Sequence, residues 1–99
     1  MNNYEAIFII KSNRGKENVN KTIKDINQLI KDSKCEIYLK KELGLRKLAY
    51  EIKECKDGYY YLINFKDEST KKDATNHITK GINTMEEVIK FIIIKKDEE

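Results

Sequence analysis

Only two stretches of this chain carry the apolar spacing of a helix, yet four others are dense enough in apolar residues to be strands. From Lys16 to Ser33, the residues Val19, Ile23, Ile26 and Ile30 recur along one helical face, with Lys, Asp and Asn opposite. A shorter helix, capped by Ser69 or Thr70, carries Ala74, Ile78 and Ile82 inward and ends near Gly81. "YEAIFIIK" (4–11) is an almost unbroken apolar run suited to a central strand, and "YYYLINF" (59–65) is the second dense one. Between them, "CEIYLKK" alternates Cys35, Ile37 and Leu39 against Glu36, Tyr38 and Lys40. "ELGLRK" interrupts it at Gly44, "LAYEIK" resumes with Leu48, Tyr50 and Ile52, and "ECKDG" turns the chain. "EEVIKFIIIKK" is the final strand.

The order strand, helix, strand, strand, helix, strand is the split βαβ, ferredoxin-like arrangement (βαββαβ) of the α+β class. Right-handed crossovers put both helices on one face of a four-stranded antiparallel sheet, with the first and third strands in the middle. Residues 1–95 form this single domain and 96–99 a short charged tail. A chain of 99 residues can bury a modest core without disulfides or metal.

Two helices cover one face of such a sheet and leave the other bare. The helix-side set is Tyr4, Ala6, Phe8 and Ile10 on the first strand and Tyr59, Tyr61, Ile63 and Phe65 on the third. On the last strand Ile89, Phe91 and Ile93 suit the core, leaving Lys90, Ile92 and Ile94 outside. The bare face then carries Ile7, Ile9, Tyr60, Leu62 and Ile92 side by side. Contiguous apolar surface of that kind marks a partner site. Ile and Leu lack the π-face that nucleic-acid bases stack on, so protein docking is the favoured reading.

Charged residues make up 37% of the chain while the net charge is only +3, which excludes a single-sign tail but not a local basic patch. Cys35 and Cys55 form no C-x-x-C pair, and with one His they are too few and wrongly spaced for structural zinc. They read as buried thiols of a reducing compartment. "MNNYEAIFII" lacks the basic region and cleavage site of a secretory signal, so an intracellular, soluble chain without cofactor is expected. His77 falls on the polar side of the second helix without an Asp or Ser companion, and Glu86-Glu87 is a charge run without partner geometry.

Lys40, Lys41, Arg46 and Lys47 flank Gly44, at the expected tip or bend between the second and third strands. A protruding arm of this kind can reach phosphates. Equally, such charges keep edge strands from aggregating.

"ELGLRKLAYEIK" followed by "GYYYLINF" closely resembles the bacterial small-subunit ribosomal protein S-six family. Gly44, Arg46, Leu48, Ala49, Tyr50 and Ile52 stand at its motif places, and "YEAIFII" and "EEVIKFIIIK" look like its first and last strands. The resemblance implies a ferredoxin-like structural component that is cytoplasmic and ribosome-bound. It also implies binding of small-subunit ribosomal RNA jointly with ribosomal protein S-eighteen. By the same resemblance Arg46 and Lys47 are RNA-contact candidates, Lys90 falls where members often carry Arg, and the bare face becomes the partner's seat. Leu43 replaces a frequent Trp, Asn2 and Asn3 stand where basic residues are common, and Asn83 and Lys47 are further departures. These imply weaker autonomous RNA binding and greater dependence on the partner protein.

Two alternatives compete. An RNA-recognition motif wants K/R-G-F/Y-G/A-F-V-x-F/Y on the third strand, and the run from Lys56 to Asn64 matches it only in part. An acylphosphatase-like enzyme would hold phosphate in "SNRGK" at Arg14 and Gly15, but "CEIYLKK" offers no water-orienting amide.

Overall fold

The computed structural model describes residues 2–67 and 74–96, with the side chain of Asn2 excepted. The elements are β1 (Asn2–Ile10), α1 (Lys16–Asp32), β2 (Cys35–Ile52), β3 (Cys55–Asp67), α2 (Ala74–Asn83) and β4 (Val88–Lys96). They form one sheet in the order β2-β3-β1-β4, antiparallel throughout, with the two most apolar strands central. This is the expected ferredoxin-like architecture. The expected caps at Ser69 and Thr70, and the residues 97–99 of the tail, lie outside the described residues, whereas Lys96 pairs with Asn3 as part of β4.

α1 follows Gly15, whose φ of 92° and ψ of 168° belong to a region open essentially to glycine alone. It buries Val19, Ile23, Ile26 and Ile30 as the spacing requires. α2 buries Ala74, Ile78 and Ile82 and runs past Gly81 to Asn83. Beneath the helices lie Ala6, Phe8, Ile10, Tyr61, Ile63 and Phe65, with Tyr4 and Tyr59 at the margin. Aromatic pairs tie adjacent strands on this face: Tyr4 with Phe65 at 5.5 Å and Phe8 with Phe91 at 6.3 Å between ring centroids. Cys35 is buried in this core and Cys55 on the far side of the sheet, and neither forms a disulfide.

The sheet has four register shifts, one of them between Lys47 and Ile52 near the end of the arm, and the other three reshape its faces. β2 is one strand of 18 residues rather than two segments, because Gly44, at φ 90°, absorbs a bulge between Glu42 and Gly44. A second bulge between Ile37 and Leu39 turns Leu39 away from the helices, opposite Asn64. A third, between Ile9 and Ile10, sets Val88 rather than Ile89 against Ile10. Val88 therefore joins the helix-side core, and Ile89 packs on the opposite face. The β2–β3 turn is not at Gly44, and it takes in only the first residue of "ECKDG". It is a tight reversal at Lys53 and Glu54, both at positive φ (48° and 65°), with Ile52 paired to Cys55.

Candidate partner face and basic arm

Directly opposed residues in an antiparallel sheet share a face, so the register maps the side away from the helices. Its central row reads Lys41, Leu62, Ile7, Ile92 across β2, β3, β1 and β4. One row toward the arm come Gly44, Tyr60, Ile9 and Lys90, and one row the other way Leu39, Asn64, Glu5 and Ile94. Five residues expected on the bare face, Ile7, Ile9, Tyr60, Leu62 and Ile92, are thus neighbours. Ile92 and Ile94 remain 49% and 51% exposed, and Ile7, Leu62 and Tyr60 are half-buried.

Ile9 is the exception. It is 9% exposed, because the long β2–β3 arm brings Leu48 and Cys55 onto it beside Ile89. Ile52 and Tyr60 flank this second, smaller core. The chain therefore covers one end of the face itself and leaves the middle open. Sequence alternation missed this cover, along with Leu39 and Glu5 as members of the face, while the parity that sets Tyr60 and Leu62 there also holds for Asn64.

The basic residues divide between the two sides. Lys41 opposes Leu62, Arg46 opposes Gly58 and Lys90 opposes Ile9, all on the open face. Arg46 stands over the Tyr60 ring, its guanidinium carbon 5.9 Å from the centroid. Lys40 opposes Ile63 and lines a hollow with Ile23, Asn27, Glu42 and Tyr61, on the helix side. Lys47 opposes Asp57, which accepts a hydrogen bond from Ser12 at 3.0 Å. Adjacent residues of a strand point apart, so the Arg46–Lys47 pair and the Lys40–Lys41 pair are each split across the sheet.

On the helix side Lys16 donates to Glu42 at 2.9 Å and to the Tyr59 hydroxyl at 2.5 Å, and Tyr59 donates to Glu42 at 2.6 Å. The hydroxyl first, and the ammonium second, hold the Glu42 carboxyl below its ordinary range. The same two bonds, Tyr59 first, push Lys16 above its own. Burial raises the Tyr61 hydroxyl, against a bond donated to Asn27 at 2.9 Å.

His77, read in the sequence as lacking an Asp or Ser companion, and Arg14 of the "SNRGK" loop both have partners. The Nδ1 of His77 lies 2.5 Å from the Ser33 hydroxyl, which donates to the Leu29 carbonyl, so α2 is tied to the end of α1. Arg14 pairs with Glu87 at 3.0 Å, and Asn18 donates to the same carboxylate at 2.9 Å. The partners stand 44 and 73 residues away along the chain, beyond the reach of local pattern.

Two comparisons with known proteins agree. The chain matches a family model described as Ribosomal protein S6 over residues 3–95. Its structure is similar to the crystal structure of 30S ribosomal protein S6 from Thermotoga maritima, with a TM-score of 0.86 and 26% sequence identity. That match covers 96% of this chain and 87% of the other. A four-stranded sheet with two helices, and a family match over nearly its whole length, place this chain in the ribosomal protein S6 family.

Proposed function

We propose that this protein is a structural constituent of the small ribosomal subunit that binds small-subunit ribosomal RNA together with ribosomal protein S-eighteen. The partner protein sits on the open middle of the sheet, and the RNA runs along its basic rim in the ribosome-bound, cytoplasmic state. The observation that carries this is the row Lys41, Leu62, Ile7, Ile92: an apolar strip open to solvent at Ile92 and continued by the exposed Ile94. A free surface of that character calls for a macromolecule. Lys41, Arg46 and Lys90 stand at its borders, where a long side chain can reach a phosphate while the strip stays under protein.

A base-stacking platform is the weaker reading. RNA-recognition sheets stack two or three bases on aromatics, whereas the three middle rows of this face carry one ring, Tyr60, with Arg46 already over it. The phosphate-loop alternative is weaker still, because Arg14 is held by Glu87.

The test is a filter-binding titration of the ribosomal RNA junction against salt, with and without S-eighteen. Arg46→Ala with Lys90→Ala should lower affinity and flatten the slope of log affinity against log salt by about 0.7–0.9 per lost phosphate contact. Lys40→Ala with Lys47→Ala should do less, being on the other face. Equal slopes in both pairs would refute the rim assignment, and RNA binding that ignores S-eighteen would refute joint binding.

A further inference from the structure

The open face has one feature that apolar docking does not explain. Glu5 stands near its centre, directly opposite Asn64 on β3 and Ile94 on β4, with Ile7 and Leu62 one row away. It has no hydrogen bond or ion pair among the described residues. Asn64 is 6% exposed, and its Oδ1 is buried without a hydrogen-bond partner. Asn3, two residues before Glu5 and so on the same face, has a second buried Oδ1 in the same condition. A buried acceptor without a donor is destabilising, and the half-buried Glu5 carboxylate stands beside Ile7 and Ile94. Among the described residues, one face of the sheet thus carries three acceptors without donors: the Glu5 carboxylate and the two amide oxygens.

We propose that Glu5, Asn64 and Asn3 form a notch that receives an arginine side chain from the protein partner. Directly opposed residues have Cβ atoms about 4.5–5.5 Å apart, so the carboxylate and the Asn64 amide are within the span of one guanidinium. A guanidinium offers five donors in a planar fork and no acceptor, which matches a carboxylate flanked by amide oxygens. An ammonium is a more strongly hydrated point charge and is a poorer fit between Ile94, Leu39 and Leu62. Lys66 and Lys96, one row away on either side of Asn3, do not fill the role. Lys66 is 5.5 Å from the centroid of the Tyr38 ring, and neither lysine pairs with Glu5. A phosphate backbone would be repelled by Glu5, so the occupant is protein and not RNA.

The notch rests on the docking reading above, and the experiment separates the two. Binding of recombinant S-eighteen, in the presence of the RNA junction, is measured calorimetrically for the unaltered chain and for Glu5→Gln, Asn64→Leu and Ile92→Glu. Glu5→Gln keeps size and removes charge. It should weaken the complex about 30-fold or more, as truncating one side of a buried charged pair does. Asn64→Leu should weaken binding while raising the melting temperature of the free protein, a combination that a merely structural residue would not give. Loss of binding on Ile92→Glu with none on Glu5→Gln overturns the notch and leaves docking intact. No loss in any variant overturns both. Tighter binding on Glu5→Gln identifies RNA as the occupant and overturns the notch, and so does self-association of the free chain that Glu5→Gln abolishes.

Discussion

Leu48 and Leu45 lie three residues apart in β2, and composition gives no reason to rank them. In the folded chain Leu48 is 8% exposed against Ile9, Cys55 and Ile89, while Leu45 is 60% exposed. Leu48→Ala removes three buried carbons. At about 0.8 kcal/mol per buried methylene the transfer loss is about 2.4 kcal/mol. A cavity contribution adds to this, but the cluster is small and edged by half-buried Ile52 and Tyr60, so it can collapse. The expected cost is about 2–3 kcal/mol, toward the lower end for buried Leu to Ala. In a domain of this size that lowers the melting temperature by about 8–24 °C. Leu45→Ala should stay within about 0.5 kcal/mol, as exposed changes do. Urea unfolding of the two variants, read as a midpoint shift at constant slope, measures both. If Leu48→Ala cost less than about 1 kcal/mol, or no more than Leu45→Ala, the arm would not fold back and the covered end of the face would be wrong.

Three further outcomes follow from particular geometries. Gly15→Ala should destabilise by about 1–3 kcal/mol through backbone strain alone, since an added Cβ would meet nothing within 4 Å; thermal melting reads it. Lys53→Asn with Glu54→Gly should raise the melting temperature by relieving two left-handed residues, at about 1 kcal/mol or more for the pair. Glu42 is below its ordinary 4.5 in the fold, so its stabilisation is present above that pH and is lost as pH falls through the folded value. With Lys16 and Glu42 54% and 50% exposed, Glu42→Gln should flatten the acid limb of the stability curve by only about 0.2–1 kcal/mol.

The six elements were legible because each helix keeps its spacing and each central strand its density. What sequence pattern could not supply were the places where alternation slips. A period-two reading assumes that every residue flips the face. Each bulge breaks that assumption once, so Leu39 and Ile89 were assigned to the helix side on a parity that no longer held. The hairpin turn was hidden for another reason: Lys53 and Glu54 are not turn-forming residues, and the neighbouring "KDG" is. Strand pairing overrode local preference there, at the cost of two left-handed residues.

The proposed docking face was half visible for a related reason. Ile7, Leu62 and Ile92 could be placed from parity and strand order alone, since the register of β1 with β3 and β4 is unbroken through the row they share. The basic residues could not, because counting them along the arm says nothing of which side they take. Arg46 and Lys47 are adjacent in sequence and opposed in direction, so a motif that names both as one pair joins residues that leave the strand on opposite faces.

The open strip also raises the question of what protects it before assembly. β4 is an outer strand with exposed Ile92 and Ile94, the kind of edge that pairs with another chain. It carries Lys90 beside the strip and ends in Lys95 and Lys96, all exposed, so a second copy aligning on that edge would bring like charges together. On the other outer strand Lys40, Lys41 and Glu42 are likewise exposed. Glu5 makes the centre of the face unfavourable to any partner that cannot neutralise it, since a buried unpaired carboxylate costs more than the apolar contact around it gains. Charge at the edges and a lone acid in the middle therefore act in the same direction. They make the surface costly for a copy of this chain to cover and leave the proposed partner, which can neutralise Glu5, the favoured occupant.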